Sequence, residues 1–417
     1  MSVGSLDNLI VSKNKSLYTI GFYASFLMIS VILIPDLNVI STEVLICITA
    51  LWLPGILQNK IKLSKQLWGV LVCLILYLII IIIYKSLGIS TAWWDIAAGY
   101  YGSVCCAVVS IYSLKLLSEK QLRHLKWGIY GVFMVGMLYV YKKGMMALAT
   151  MNLEEAISQE TAAYGSAVMI FTGITFIAFL SSRSFLLKFL YGLGVILSLG
   201  VTIVIMQRGT NVIMSLLMLL MILMFNYVKG VKIKRILIIL FVGGVILYIT
   251  GIYSVLLEFL IDTIPSERLA TRVQAIYFFL QTGDALDAGS SMTSRSELML
   301  RSFNTFTDSI GNFLFGVGDH RKLGGPVGNH AELLDTFARY GIFLSIPLIV
   351  YFYKLIKWWY AIIPHSSILR YQVSCIISIY IARNIWGFAI TSAISVLLFL
   401  YLPLIVSSIL KSNIATK

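Results

Sequence analysis

Long apolar runs separated by short polar breaks dominate this chain. Twelve such runs lie near residues 17–34, 39–57, 67–84, 96–113, 125–141, 162–180, 185–206, 209–227, 236–257, 341–358, 368–383 and 387–410. A helix that crosses a bilayer needs roughly 20 predominantly apolar residues. Each run therefore predicts a transmembrane helix, although Asp95 and several glycines dilute the fourth. The expected fold is an all-α polytopic membrane protein with about 12 transmembrane helices. Most breaks are short, but those near 142–161 and 258–340 are longer, and only the second is large enough for a small domain. The predicted division is 1–257 for helices 1–9, 258–340 for an extracytoplasmic helical loop and 341–417 for helices 10–12.

Helical periodicity continues inside the long loop. Ser266 can cap a helix carrying Leu269, Val273, Ile276, Tyr277 and Leu280. The stretch "TGDALDAGSSMTS" over 282–294 reads as a linker. Ser294 and Glu297 then have capping-box spacing and open a helix with Leu298, Phe303, Phe306 and Ile310 apolar. A glycine-rich stretch over 315–329 leads to a third helix, capped by Gly328 or Asn329, whose apolar stripe is Leu333, Leu334, Phe337, Ala338 and Gly341.

Composition agrees with a bilayer environment. The chain is 59% hydrophobic and 12% charged, with a mean hydropathy of +0.91. Globular domains average about a quarter charged. The polar first 16 residues followed by an apolar run predict a permanent anchor and no cleavable signal peptide. Cys47, Cys73, Cys105, Cys106 and Cys375 all fall in apolar runs, where a thiol is a small buried hydrophobe.

The net charge of +14 is unevenly spread. With the N-terminus in the cytoplasm, 20 of the 32 lysines and arginines fall on cytoplasmic segments beside only Asp7 and Glu119. This is the positive-inside pattern, so the charge points to topology and both termini are expected in the cytoplasm. No nucleic-acid partner is expected, and the sequence carries no phosphate-binding loop, dinucleotide fingerprint or metal-ligand spacing.

The chemistry-bearing residues gather on the opposite side. His330 would stand at a helix N-terminus, where the dipole disfavours the imidazolium and keeps the ring neutral, as a general base must be. An interfacial histidine bonded to a loop would look the same. Asp335 and Arg339, four apart, have the spacing of a surface ion pair. Arg208 sits in a tight turn between the seventh and eighth runs, where an arginine commonly serves a partner or pathway. Arg295 opens the loop helix, against the dipole, and Arg301 lies four residues after Glu297. One base and several permanent cations suit transfer from a lipid diphosphate, whose leaving group is already an anion.

Three stretches carry a resemblance. "GNHAELLDTFARYGI" over 328–342, "SRSELMLRSFNTFTDSIGNFLFGVG" over 294–318 and "MQRGTNVIMSLLMLL" over 206–220 resemble motifs of the bacterial O-antigen polymerase/O-antigen ligase superfamily. The first is closest to the polymerase form. The resemblance implies a metal-independent glycosyltransferase, without a cofactor, using an undecaprenyl-diphosphate-linked oligosaccharide as donor. It implies His330 as the catalytic base, with Arg208 and Arg295 or Arg301 holding the diphosphate. Asp335 and Arg339 join them as substrate-binding candidates. The function expected from it is a polysaccharide polymerase of the bacterial cytoplasmic (inner) membrane, making O-antigen, capsule or exopolysaccharide. Membrane lipid, a chain-length regulator and a flippase are the expected partners. The alternatives are an O-antigen ligase and, in another class, a flippase.

Overall fold

The structure is a computed structural model that describes residues 117–149, 159–206, 209–227, 249–263, 290–317, 325–328, 332–361, 368–385 and 392–414, with a few isolated positions elsewhere. The described residues are all-α. In chain order the helices are α1 (Glu119–Ala149), α2 (Gln159–Ser181), α3 (Phe185–Gly200), α4 (Gly209–Tyr227), α5 (Ile252–Thr263), α6 (Ser290–Thr307), α7 (Ile310–Phe315), α8 (Glu332–Ala361), α9 (Ile368–Ile385), α10 (Ser392–Val396) and α11 (Leu402–Ile414). Wider π-helical turns at Val201–Met206 and Leu397–Tyr401 extend α3 and join α10 to α11.

The bundle is organised around α2. Its hydroxyls do not oppose burial, because Thr172 Oγ1 donates to Val168 O and Thr175 Oγ1 donates to Phe171 O, each at 2.8 Å. Both groups are thus satisfied within the helix. Ala167, Val168, Met169, Ile170 and Phe171 are completely buried. Phe133 of α1 stacks on Phe171 at 4.5 Å and on Tyr164 at 5.4 Å. On the other side of Phe171 lies Tyr401, at 6.1 Å. The three-residue turn at 182–184 sends α3 back along α2, and Thr172 Oγ1 lies 2.8 Å from Ser198 Oγ between them. Gly173 lets Met218 of α4 and Ile376 of α9 press close to α2. Each buried aromatic contributes on the order of 1.5–3 kcal/mol through area removed from water.

Twelve transmembrane helices are not what the structure shows. Among the described residues, two helices are long and apolar enough to cross a membrane, over Tyr164–Ser181 and Phe185–Ile203. The first of these windows is 78% buried by other helices. The runs at 209–227, 368–383 and 387–410 yield shorter apolar helices over Asn211–Asn226, Ile368–Ala382 and Leu397–Ser412. The run at 125–141 lies within α1, which carries Lys126, Lys142 and Lys143, and the run at 341–358 is part of α8, which breaks at Gly341. The physical reason is that apolar length alone does not separate a span from a core helix: the Tyr164–Ser181 window buries most of its residues on neighbouring helices, whereas the Phe185–Ile203 window is 28% buried. The described part is a tightly packed all-α bundle. The runs at 17–34, 39–57, 67–84 and 96–113 and most of 236–257 lie outside the described residues.

The polymerase, ligase and flippase expectations all required the polytopic layout. They are corrected with it, as is the placement in the bacterial inner membrane as a multi-pass protein.

Candidate functional site

Three helices of the predicted loop region fold into one clasp at the end of the bundle where α8 begins. The first, α6, starts at Ser290, so the last five residues of the predicted linker are helical and Ser294 lies inside the helix rather than capping it. Its buried position is Ser302, with Leu298 and Phe306 half-buried one turn to either side, while Phe303, expected on the apolar stripe, is 48% exposed. Ser309 ends the connection and caps α7 by accepting a hydrogen bond from Asn312 N at 3.1 Å. Phe306 then packs on Phe313 of α7 at 5.0 Å and on Phe337 of α8 at 5.4 Å.

Three glycines allow backbones to meet. Gly316 has φ 73° and lies against the carbonyl of Arg339. Gly341 has φ 60° and lies against the carbonyl of Leu314. Side chains rarely adopt that left-handed conformation, and a β-carbon at either position would collide with the facing backbone. Gly328 meets the carbonyl of Leu298 in the same way. Val317 N donates to Ala338 O at 3.0 Å beside the first contact. At Gly341 the helix breaks, and Ser345 Oγ donates to Thr336 O at 3.2 Å across the break.

The polar centre of the clasp is Ser302. Its hydroxyl donates to Asp335 Oδ1 at 2.5 Å and accepts from Gly328 N at 2.8 Å. Nearby, Thr305 Oγ1 donates to Pro326 O at 2.6 Å, and Asn312 Nδ2 donates to Thr305 O at 3.1 Å. The buried Ser302 hydroxyl thus joins α6 to both the segment 325–328 and α8, and Thr305 adds a second tie to that segment.

The predicted site residues separate into three groups. Asp335 and Arg339 are 1% and 3% exposed, so the expected surface ion pair is instead a buried part of α8. The buried side of this helix is Asp335, Thr336, Ala338, Arg339 and Tyr340, whereas Leu333 of the predicted apolar stripe is 43% exposed. Arg301 is exposed on α6, one residue from Ser302. Arg295 belongs to α6 by its backbone. His330 and Arg208 lie outside the described residues. His330 falls two residues after Gly328 and two before Glu332, where α8 begins. Arg208 falls between the π-helical turn ending at Met206 and the start of α4 at Gly209.

Ser302 was not singled out from the sequence. Its signal was available: a hydroxyl one turn from both Leu298 and Phe306 is a polar residue on an apolar helix face, which needs a partner when buried. Among the described residues no group of three or more His, Cys, Asp or Glu side chains could hold a metal ion.

Neither a family model nor a curated protein matches this chain.

Proposed function

We propose that the chain is a metal-independent glycosyltransferase that takes its sugar from a lipid-diphosphate-linked donor, with undecaprenyl diphosphate as the carrier and a sugar hydroxyl as the acceptor. His330 is the general base. It takes the acceptor proton as the acceptor oxygen bonds to the anomeric carbon, and the bond from that carbon to the diphosphate oxygen breaks with its electron pair. The departing diphosphate needs cations rather than a proton, and arginine forks match its oxygens. Arg208 and either Arg295 or Arg301 supply them.

One observation carries this reading. Ser302 ties together the helix of Arg295 and Arg301, the segment that leads to His330, and the helix that follows it. The described residues on either side of His330, Gly328 and Asp335, are thus joined to the helix of the arginines by one hydroxyl. Further support is the order of the three motifs and their resemblance to the O-antigen polymerase/O-antigen ligase superfamily. The proposal concerns donor and bond chemistry, and it does not depend on a count of spans.

The test uses the full chain and a radiolabelled lipid-diphosphate oligosaccharide with an oligosaccharide acceptor. The expected result is transfer of label by the wild type, unaffected by a chelator, and a loss of at least about 100-fold in His330→Ala, within the usual range for general-base catalysis. Full transfer by a folded His330→Ala variant would remove the histidine from the chemistry.

A further inference from the structure

The opposite end of the bundle has a different character. The turn at 182–184 between α2 and α3 lies there. Trp127 of α1 stacks on Tyr191 of α3 at 5.2 Å, which brings the start of α1 alongside. The bond from Lys126 Nζ to Ser408 Oγ at 3.1 Å adds the second half of α11. Met218 and Ile376 flank Gly173 of α2, and farther along Phe225 stacks on Tyr371 at 5.4 Å, so α4 finishes where α9 starts. Tyr360 Oη donates to Ser374 Oγ at 2.9 Å and places the last turn of α8 there too.

Arg123, Lys126, Arg183, Lys188, Lys357 and Arg370 share this end. Among the described residues that these contacts bring together, the single acid is Glu119, and Lys411 holds it at 2.9 Å. Three of the cations lie over aromatic rings: Lys126 over Trp127 at 5.4 Å, Arg370 over Tyr360 at 5.4 Å and Lys357 over Tyr353 at 5.9 Å. Next to Trp127, which stacks on Tyr191, the first turns of α3 expose Phe185, Leu186 and Phe189, at 84%, 63% and 59%. α3 is also one of the two helices long and apolar enough to cross a membrane.

A rim of cations and aromatic rings above an exposed apolar helix face matches the layering of a lipid leaflet, with phosphates outermost, an amphipathic interface next and acyl chains beneath. Long basic side chains can reach phosphates while their stems cover apolar surface. A nucleic acid would satisfy the cations and leave Phe185, Leu186 and Phe189 in water. A lipid surface covers both features at once.

We propose that this end of the bundle docks on anionic phospholipid, with Arg183, Lys188 and Lys357 on the headgroup phosphates and the first turns of α3 in the acyl layer. The surface is separate from the Ser302 clasp and does not rest on the glycosyltransferase reading. The energetic basis is about 1 kcal/mol for each basic residue near an anionic leaflet, which is about fivefold in affinity.

The experiment is a lipid titration of the full chain in a neutral detergent, followed by its thermal unfolding midpoint. Phosphatidylglycerol is expected to raise the midpoint, and phosphatidylcholine is not. The triple variant Arg183→Gln, Lys188→Gln and Lys357→Gln removes exposed charges only, so its midpoint without lipid matches the wild type. Its half-saturating phosphatidylglycerol concentration should rise about 100-fold, fivefold for each of the three cations. Added salt should weaken the wild-type response. Equal responses to the two lipids, or an unchanged titration in the triple variant, would overturn the proposal. Equal stabilisation by inorganic phosphate would overturn it in favour of a soluble-anion site. Displacement of the lipid by duplex DNA at equal charge would overturn it in favour of nucleic acid.

Discussion

Replacing Ser302 with alanine removes one oxygen atom and two hydrogen bonds. Asp335 loses the donor at 2.5 Å and Gly328 N–H loses its acceptor at 2.8 Å. Ser302 is 0% exposed and Asp335 1%, so water does not readily replace either partner. A hydrogen bond is worth about 0.5–1.5 kcal/mol net, and each buried polar group left without its partner costs about 1–3 kcal/mol. Alanine is the better helix former by a few tenths of a kcal/mol, up to about 0.7, which offsets a little of this. The expected net loss is about 3 kcal/mol. Urea unfolding of the full chain, read by pulse proteolysis, measures it against Asn304→Ala, an exposed neighbour on the same helix. That control should stay within about 0.5 kcal/mol of the wild type. A cycle with Asp335→Asn should show coupling on the order of 1 kcal/mol or more. A Ser302→Ala variant no less stable than the control would refute the clasp as described.

Other consequences follow from the same geometry. Gly341→Ala should cost more than about 2 kcal/mol, since backbone strain of about 1–3 kcal/mol in a positive-φ region reserved for glycine adds to a collision with Leu314; the same unfolding assay reads it. Phe133→Ala empties a buried site stacked on both Phe171 and Tyr164 and should cost about 3–5 kcal/mol, checked by urea unfolding. The Glu119 carboxyl is held below its usual range, first by the hydrogen bond from Lys411 and then by the Lys411 charge. A carboxyl depressed in the folded state contributes stability above its unfolded pKa of about 4.3, lost as pH falls through the folded value. Wild type and Lys411→Gln should therefore differ slightly at neutral pH and converge in acid, as unfolding curves across pH would show.

The sequence made some of this legible and concealed the rest. Apolar runs marked where most of the described helices lie, because burial on a neighbouring helix and burial in lipid demand the same side chains. For that reason they could not separate a span from a core helix, and α2, with 78% of its window buried, shows the ambiguity directly. The helix after the glycine-rich stretch was visible, but not its orientation. Asp335 and Arg339 looked like a surface pair at i,i+4 spacing, yet both are buried, Asp335 against Ser302 of α6. Long-range docking of this kind leaves no periodic trace. Gly328 was read as a possible cap, Gly341 as part of an apolar stripe and Gly316 only as a motif letter, and the reason for all three is physical: at each, two backbones touch.

Donor cleavage by the purified chain reads the proposed chemistry at the bond that breaks. A lipid-diphosphate oligosaccharide is supplied with an acceptor, and free lipid diphosphate is measured over time for wild type, His330→Ala and Arg208→Lys at matched folding. The account predicts release by the wild type, essentially none by His330→Ala, and a clear reduction in Arg208→Lys because an ammonium cannot reproduce a guanidinium fork. Donor left intact by a well-folded wild-type chain, or released equally by all three, would contradict it.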